Sequence, residues 1–127
     1  MTITFLHRDI VETLHQMQID TFGGANGLRD EGALESALGR PMNKASYGED
    51  DVVALAAAYL FGLAKNHAFV DGNKRIAIVS AGVFLELNGY RIDTTDAHLY
   101  NFVLGVAAGE IDEDGATRFL RDFTVPL

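Results

Sequence analysis

Apolar residues along the chain recur at helical spacing, i, i+3, i+4 and i+7, and no alternating stretch of useful length interrupts them, so the pattern predicts a mostly helical protein. A first helix carries Ile10, Val11, Leu14 and Met17 as one stripe with Asp9, Glu12 and Gln16 opposite, and Phe22-Gly23-Gly24 ends it. Ala25 to Arg29 reads as a loop. Asp30 caps a second helix through Arg40, with Leu34, Ala37 and Leu38 facing inward and Pro41 stopping it. A polar stretch, Met42 to Glu49, leads on.

The next two helices, Asp51 to Asn66 and Asn73 to Asn88, are apolar on nearly every side, which places both at the centre of the molecule. After an extended piece at Tyr90 to Ile92, Thr95 or Asp96 opens a fifth helix with Leu99, Phe102, Val103 and Val106 inward, ending at Gly109. Asp112 opens a sixth, with Ala116, Phe119, Leu120 and Phe123 inward. The expected fold is all-α: a compact bundle of about six helices around two buried ones, with residues 1–127 as a single domain.

Composition narrows the function. With 48% hydrophobic and 22% charged residues the chain is ordinary globular material. The absence of cysteine removes disulfides, thiolate zinc sites and thiol catalysis, and fits a reducing cytoplasm. Ten Lys+Arg against eighteen Asp+Glu give a net charge of −8, which argues against direct nucleic-acid binding and against anionic lipid. The opening segment from Met1 loses its apolar character at His7, Arg8 and Asp9, unlike a signal peptide. The longest nearly apolar run, Val52 to Ala64, falls well short of the ~20 residues a membrane span needs. No membrane partner is expected.

One short polar bridge joins the two central helices: His67-Ala-Phe-Val-Asp71-Gly72-Asn73-Lys74-Arg75. Lys74 and Arg75 stand in the first turn of a helix, where unpaired N–H groups and the macrodipole already favour negative charge. Cations there cost a few tenths to about 1 kcal/mol each unless an anion neutralises them. A bound phosphate turns that defect into a site. Gly72 lets the backbone approach such a ligand, and Asn73 can cap the helix or donate a side-chain hydrogen bond. His67 can accept a proton near neutral pH, and Asp71 is a hard oxygen ligand suited to Mg²⁺. A base, a metal ligand and an anion clamp are what phosphoryl or nucleotidyl transfer requires. Each residue also has a plainer reading: His67 as a helix cap, Asp71 as a turn residue, Lys74 or Arg75 in an ion pair.

The nine residues HAFVDGNKR, His67 to Arg75, resemble the signature of the Fic/Doc superfamily, in particular of the death-on-curing (Doc) toxins. Phe22-Gly-Gly and Gly27-Leu-Arg-Asp-Glu-Gly-Ala-Leu-Glu-Ser-Ala-Leu-Gly-Arg-Pro41 are also similar to the N-terminal half of that family. The resemblance implies a Fic/Doc-like fold and a toxin of a type II toxin–antitoxin system. It further implies an ATP-dependent kinase that phosphorylates a threonine of translation elongation factor Tu and is held in check by a cognate antitoxin. His67 would then be the base and Asp71 the Mg²⁺ ligand, with Gly72, Asn73, Lys74 and Arg75 binding the phosphates of ATP. Fic enzymes, which usually transfer AMP, read HxFx(D/E)GNGRxxR. Here Lys74 replaces the glycine, as in Doc toxins, and Ile78 replaces the second arginine, which weighs against nucleotidyl transfer. Val79 stands where the Doc pattern has an asparagine. Protein AMPylation and a non-catalytic antitoxin-binding module are the alternatives.

Outside the loop, Arg29, Asp30 and Glu31 read more simply as a capping group with a salt bridge than as functional residues. His15 and His98 read as packing or surface positions, because neither has a second metal-ligating residue four positions on. Glu110, Asp112, Glu113 and Asp114 read as a solvated helix start. An antitoxin helix is expected on apolar residues near Tyr47, Tyr59 or Phe61.

Overall fold

The structure is a computed structural model that describes residues 2–127; Met1, at the start of the opening segment, lies outside it. Six helices follow in order: α1 (Arg8–Phe22), α2 (Glu31–Ser46), α3 (Val52–Asn66), α4 (Asn73–Leu87), α5 (Asp96–Ala107) and α6 (Glu113–Phe123). Four begin on the side-chain caps that sequence suggests. Asp30 accepts from Ala33 N–H, Asp51 from Val53, Thr95 from His98 and Asp112 from Gly115.

The two apolar helices are indeed central. Eleven of the fifteen residues of α3 are buried, and α3 packs against α2, α4, α5 and α6. It approaches α2 tightly at Gly62, where a Cβ would stand 3.1 Å from Ala37 Cα. On the other side Tyr59 meets Phe84 of α4, ring centroids 4.9 Å apart, and both rings are fully buried. The Tyr59 hydroxyl oxygen accepts the Leu6 N–H at 2.9 Å, fastening the segment before α1 to the core. Tyr59 is therefore no part of an antitoxin surface. Phe61 is half-buried beneath the Arg40 guanidinium, and of the three expected residues only Tyr47 stands in the open.

Three further expectations change. Pro41 does not stop α2, which continues to Ser46. A proline at 41 removes the donor that would have bonded the carbonyl of Ala37, and that carbonyl lies at the close crossing with Gly62, inside the α2–α3 contact. Burial of Leu34, Ala37, Leu38 and Pro41 itself against α3 outweighs the lost bond. On α1 the inward stripe is Val11, His15 and Ile19, whereas Ile10 and Met17 are exposed. The helix is rotated to bring His15 under the loop between α3 and α4. Finally, Tyr90–Ile92 (β1) is paired antiparallel with a C-terminal strand, Thr124–Pro126 (β2), which the helical pattern of the last segment conceals.

The acidic start of α6 also differs from a merely solvated one. Asp112 caps the helix, but Glu113 reaches across to Arg40 and Lys44 of α2. Burial pushes the Glu113 carboxyl up, and hydrogen bonds from Lys44 and Arg40 with their charges more than reverse this, leaving it below the usual carboxylate range. A depressed folded value means that Glu113 contributes stability above its unfolded value, near 4.5, and that this is lost as pH falls through the folded one. Glu113→Gln is therefore expected to cost about 1 kcal/mol at pH 7, after allowance for solvent around Arg40, and almost nothing in strong acid. Urea unfolding of both proteins across the acid range measures that convergence.

Candidate functional site

The loop from His67 to Gly72 is held on three sides, and each hold follows from local chemistry. Its first residue closes α3 in the left-handed region, φ 51° and ψ 46°; among the described residues no other non-glycine has positive φ. A histidine there is strained, so its neighbours must fix it. The Arg29 Nε donates to the His67 carbonyl at 3.0 Å, and the Ala68 carbonyl accepts from both Arg29 N–H and Asp30 N–H. Val70 N–H donates to the Gly27 carbonyl, completing a single antiparallel bridge between Leu28 and Phe69. Arg29 thus works as a loop anchor, while Asp30 caps α2.

The second hold is Asn73. Its side-chain oxygen accepts the Phe69 N–H at 3.0 Å and its amide nitrogen donates to the Phe69 carbonyl at 2.9 Å, so both ends close the loop on itself. What Asn73 offers a ligand is its main-chain N–H. The third hold is His15, whose buried ring stacks on Phe69, centroids 3.8 Å apart, with Nε2 2.7 Å from the Asp71 carbonyl oxygen. Reading His15 as a packing residue missed this contact. Its only sequence trace is a polar ring on the helix face that also carries Val11 and Ile19.

These holds leave the outer side of the loop free. His67 is exposed, and neither ring nitrogen has a hydrogen-bond partner among the described residues. Asp71 Oδ1 accepts the Gly72 N–H at 2.8 Å and Oδ2 the Ala25 N–H at 3.2 Å. Those two donors, with the nearby Arg75 charge, hold the Asp71 carboxyl below the usual carboxylate range, so it is an anion at neutral pH. Gly24 makes the approach possible: a Cβ there would stand 2.7 Å from Asp71 Oδ2.

The helix start behind the loop is electropositive and uncapped. Gly72 precedes α4 at φ 77° and supplies no side chain. Among the described residues no carbonyl or side chain takes the N–H of Asn73, Lys74 or Arg75, and no carboxylate forms a salt bridge with Lys74 or Arg75. Arg75 instead lies over the Phe22 ring, 5.1 Å from its centroid. The ion-pair reading of these two cations is therefore not the arrangement found. Asp71 to Arg75 line a small cleft of about 90 Å³, closed on one side by Tyr100 of α5, a residue that sequence reasoning missed.

Tyr100 and Arg75 also border an apolar groove of about 410 Å³ with Phe22, Ile78, Val79 and Leu99. Ile78, which occupies the position of the second Fic arginine, thus forms groove wall and leaves Arg75 as the cleft's one guanidinium. A larger hollow of about 660 Å³ lies at the end of α2, but its Arg40 and Lys44 are both paired with Glu113, and Glu49 supplies a second carboxylate to its lining. Unsatisfied donors, rather than size, single out the loop.

No cluster of three or more His, Cys, Asp or Glu side chains capable of caging a metal occurs among the described residues. Asp71 by itself fits Mg²⁺, which commonly takes one or two carboxylates and completes its shell with water and substrate phosphate. Each Asp71 oxygen keeps a lone pair beyond the N–H it already accepts.

A helix–loop–helix thus brings together an exposed imidazole, an ionised carboxylate and a bare helix N-terminus, groups that can accept a proton and hold an anion. The Fic/DOC family profile matches residues 5–85, and the chain belongs to that family. It is 36% identical over 109 residues, covering 85% of this chain and 86% of the relative, to "Protein kinase doc" of Escherichia phage P1. It is 47% identical over 74 residues, covering 56% of each, to "Toxin Doc" of Mycolicibacterium smegmatis. No described helix is long and apolar enough to cross a membrane.

The double hold of Asn73 on Phe69 generates a stability prediction. Asn73→Ala leaves both main-chain groups of the buried Phe69 unpaired, and a loss of about 1–3 kcal/mol in urea unfolding is expected. Asn73→Asp retains the acceptor but not the donor, and its loss should fall between the two.

Proposed function

We propose that this chain is the toxin of a type II toxin–antitoxin pair and acts in the cytoplasm as an ATP-dependent protein kinase. Its target in this reading is a threonine hydroxyl of translation elongation factor Tu, so that transfer stops translation, and a cognate antitoxin restrains it. The observation that carries the reading is the first turn of α4, where among the described residues three N–H groups have no partner and two cations have no carboxylate, beside an exposed His67. A triphosphate supplies the charge that this corner lacks. The likeness to a relative named a protein kinase supports phosphoryl transfer, as does Lys74.

Each residue then has one task. The main-chain N–H groups of Asn73, Lys74 and Arg75, with the Lys74 and Arg75 side chains, hold phosphate oxygens; Gly72 leaves room for them. Asp71 would hold Mg²⁺, which when bound offsets phosphate charge. A ring nitrogen of His67 accepts the threonine proton as the threonine oxygen bonds to the γ-phosphorus. The bond from that phosphorus to the β–γ bridging oxygen breaks, and ADP departs with the electron pair. Ile78 in the apolar groove, in place of a second arginine, favours this outcome over transfer of AMP.

The test uses ATP labelled separately at the α- and γ-phosphates with elongation factor Tu. Label from the γ position is expected on the target; label from the α position would replace this reading with nucleotidyl transfer. His67→Ala should lower the rate by about 10²–10⁴-fold. Growth arrest undiminished by that substitution would instead mark a non-catalytic antitoxin-binding module.

A further inference from the structure

His15 takes no part in the chemistry above, yet it lies directly beneath the turn that opens α4. It is 3% exposed, and its Nε2 stands 2.7 Å from the Asp71 carbonyl oxygen. A carbonyl can only accept, so the ring donates from Nε2. Stacking on Phe69 fixes the plane of the ring and hence the direction of that N–H.

A planar trans peptide carries its C=O and N–H on opposite sides. Holding the Asp71 carbonyl inward, toward α1, therefore sends the Gly72 N–H outward, where it donates to Asp71 Oδ1 at 2.8 Å. The residue that follows the carbonyl is a glycine at φ 77°. A side chain there is strained by the positive φ, and its Cβ would crowd Ile19 Cδ1 at 3.3 Å and touch His15 Nε2 at 3.4 Å. Glycine also removes the steric barrier to turning the Asp71–Gly72 peptide over. In the turned state a carbonyl would replace the N–H beside the Asp71 carboxylate, repelling it. Some group outside the loop has to exclude that state.

We infer that His15 is a positioning residue: its Nε2–H locks the Asp71–Gly72 peptide and, through the Gly72 N–H, aims the Asp71 carboxylate into the cleft. The claim about geometry concerns the free protein, whereas its effect on transfer rests on the kinase reading. The two are separated by measuring both.

His15→Phe keeps a ring against Phe69 and removes the donor. His15→Gln loses the ring but places an amide nitrogen close to the site of Nε2. In the free protein, solvent exchange of the Gly72 amide, read by NMR, should quicken about tenfold in His15→Phe and stay near the wild-type rate in His15→Gln. In the transfer assay, kcat should fall about ten- to a hundredfold in His15→Phe, with the KM for the target protein little changed, and His15→Gln should recover most of it. Where His15→Phe does not fold, the wild-type protein decides: its imidazole ¹⁵N spectrum must show a proton on Nε2 coupled to the Asp71 carbonyl. An Nε2 without that proton, unchanged Gly72 exchange in His15→Phe, or a His15→Gln as impaired as His15→Phe overturns the inference. Loss of Gly72 protection in a protein that transfers no γ-phosphate would uphold the lock and sink only the kinase reading.

Discussion

Two helices that are apolar on nearly every side can be buried together only if the chain between them returns to the surface in a few residues. That constraint shapes the rest of the molecule. The α3–α4 connection spans His67 to Gly72, and neither neighbouring helix can move without opening the core around Tyr59 and Phe84. The loop must therefore satisfy its polar groups from what surrounds it. Arg29, Gly27, Asn73 and His15 do this on the inner side. What stays unsatisfied is the N-terminal turn of α4, which faces outward.

The electrostatic character of the site follows from this division. The chain carries a net charge of −8, so an anion is repelled by most of the surface and can be held only where donors converge. Lys74, Arg75 and the bare N–H groups converge at one small cleft. Asp71 forms no salt bridge with them, because its oxygens are turned to the N–H groups of Gly72 and Ala25. A carboxylate fixed in this way is ionised and oriented while the cations beside it keep their donors free of a carboxylate partner. The apolar groove next to the cleft brings Ile78 and Val79 to the same mouth, joining a charged corner to a greasy one.

Sequence and structure part company where a contact crosses between elements. The helix caps, the inward faces of α2 and α5 and the central burial of α3 and α4 are local consequences of residue type and period, and they are where the pattern places them. Pro41 misleads because a lost hydrogen bond is a local cost, whereas the packing that outweighs it lies on another helix. The stripe of α1 misleads because hydrophobicity favours Met17 inward, while the buried face also carries a histidine whose partner lies on a distant loop. β2 could not be seen at all, since a three-residue strand exists only through its partner.

By itself the sequence determined the helix count, the two interior helices and the polar nine-residue bridge between them, because spacing and residue type act over one or two turns. Its net charge also implied that an anion is held locally rather than by the surface as a whole. Only the tertiary structure decided which groups at that bridge are free and which are already bonded. Asn73 and Arg29 are drawn into holding the loop, and His15 into supporting Asp71, while Tyr100 arrives from α5 to close the cleft. The reason is distance along the chain: Asp71 is bonded to partners 46 and 56 residues away, and no local pattern encodes such a meeting.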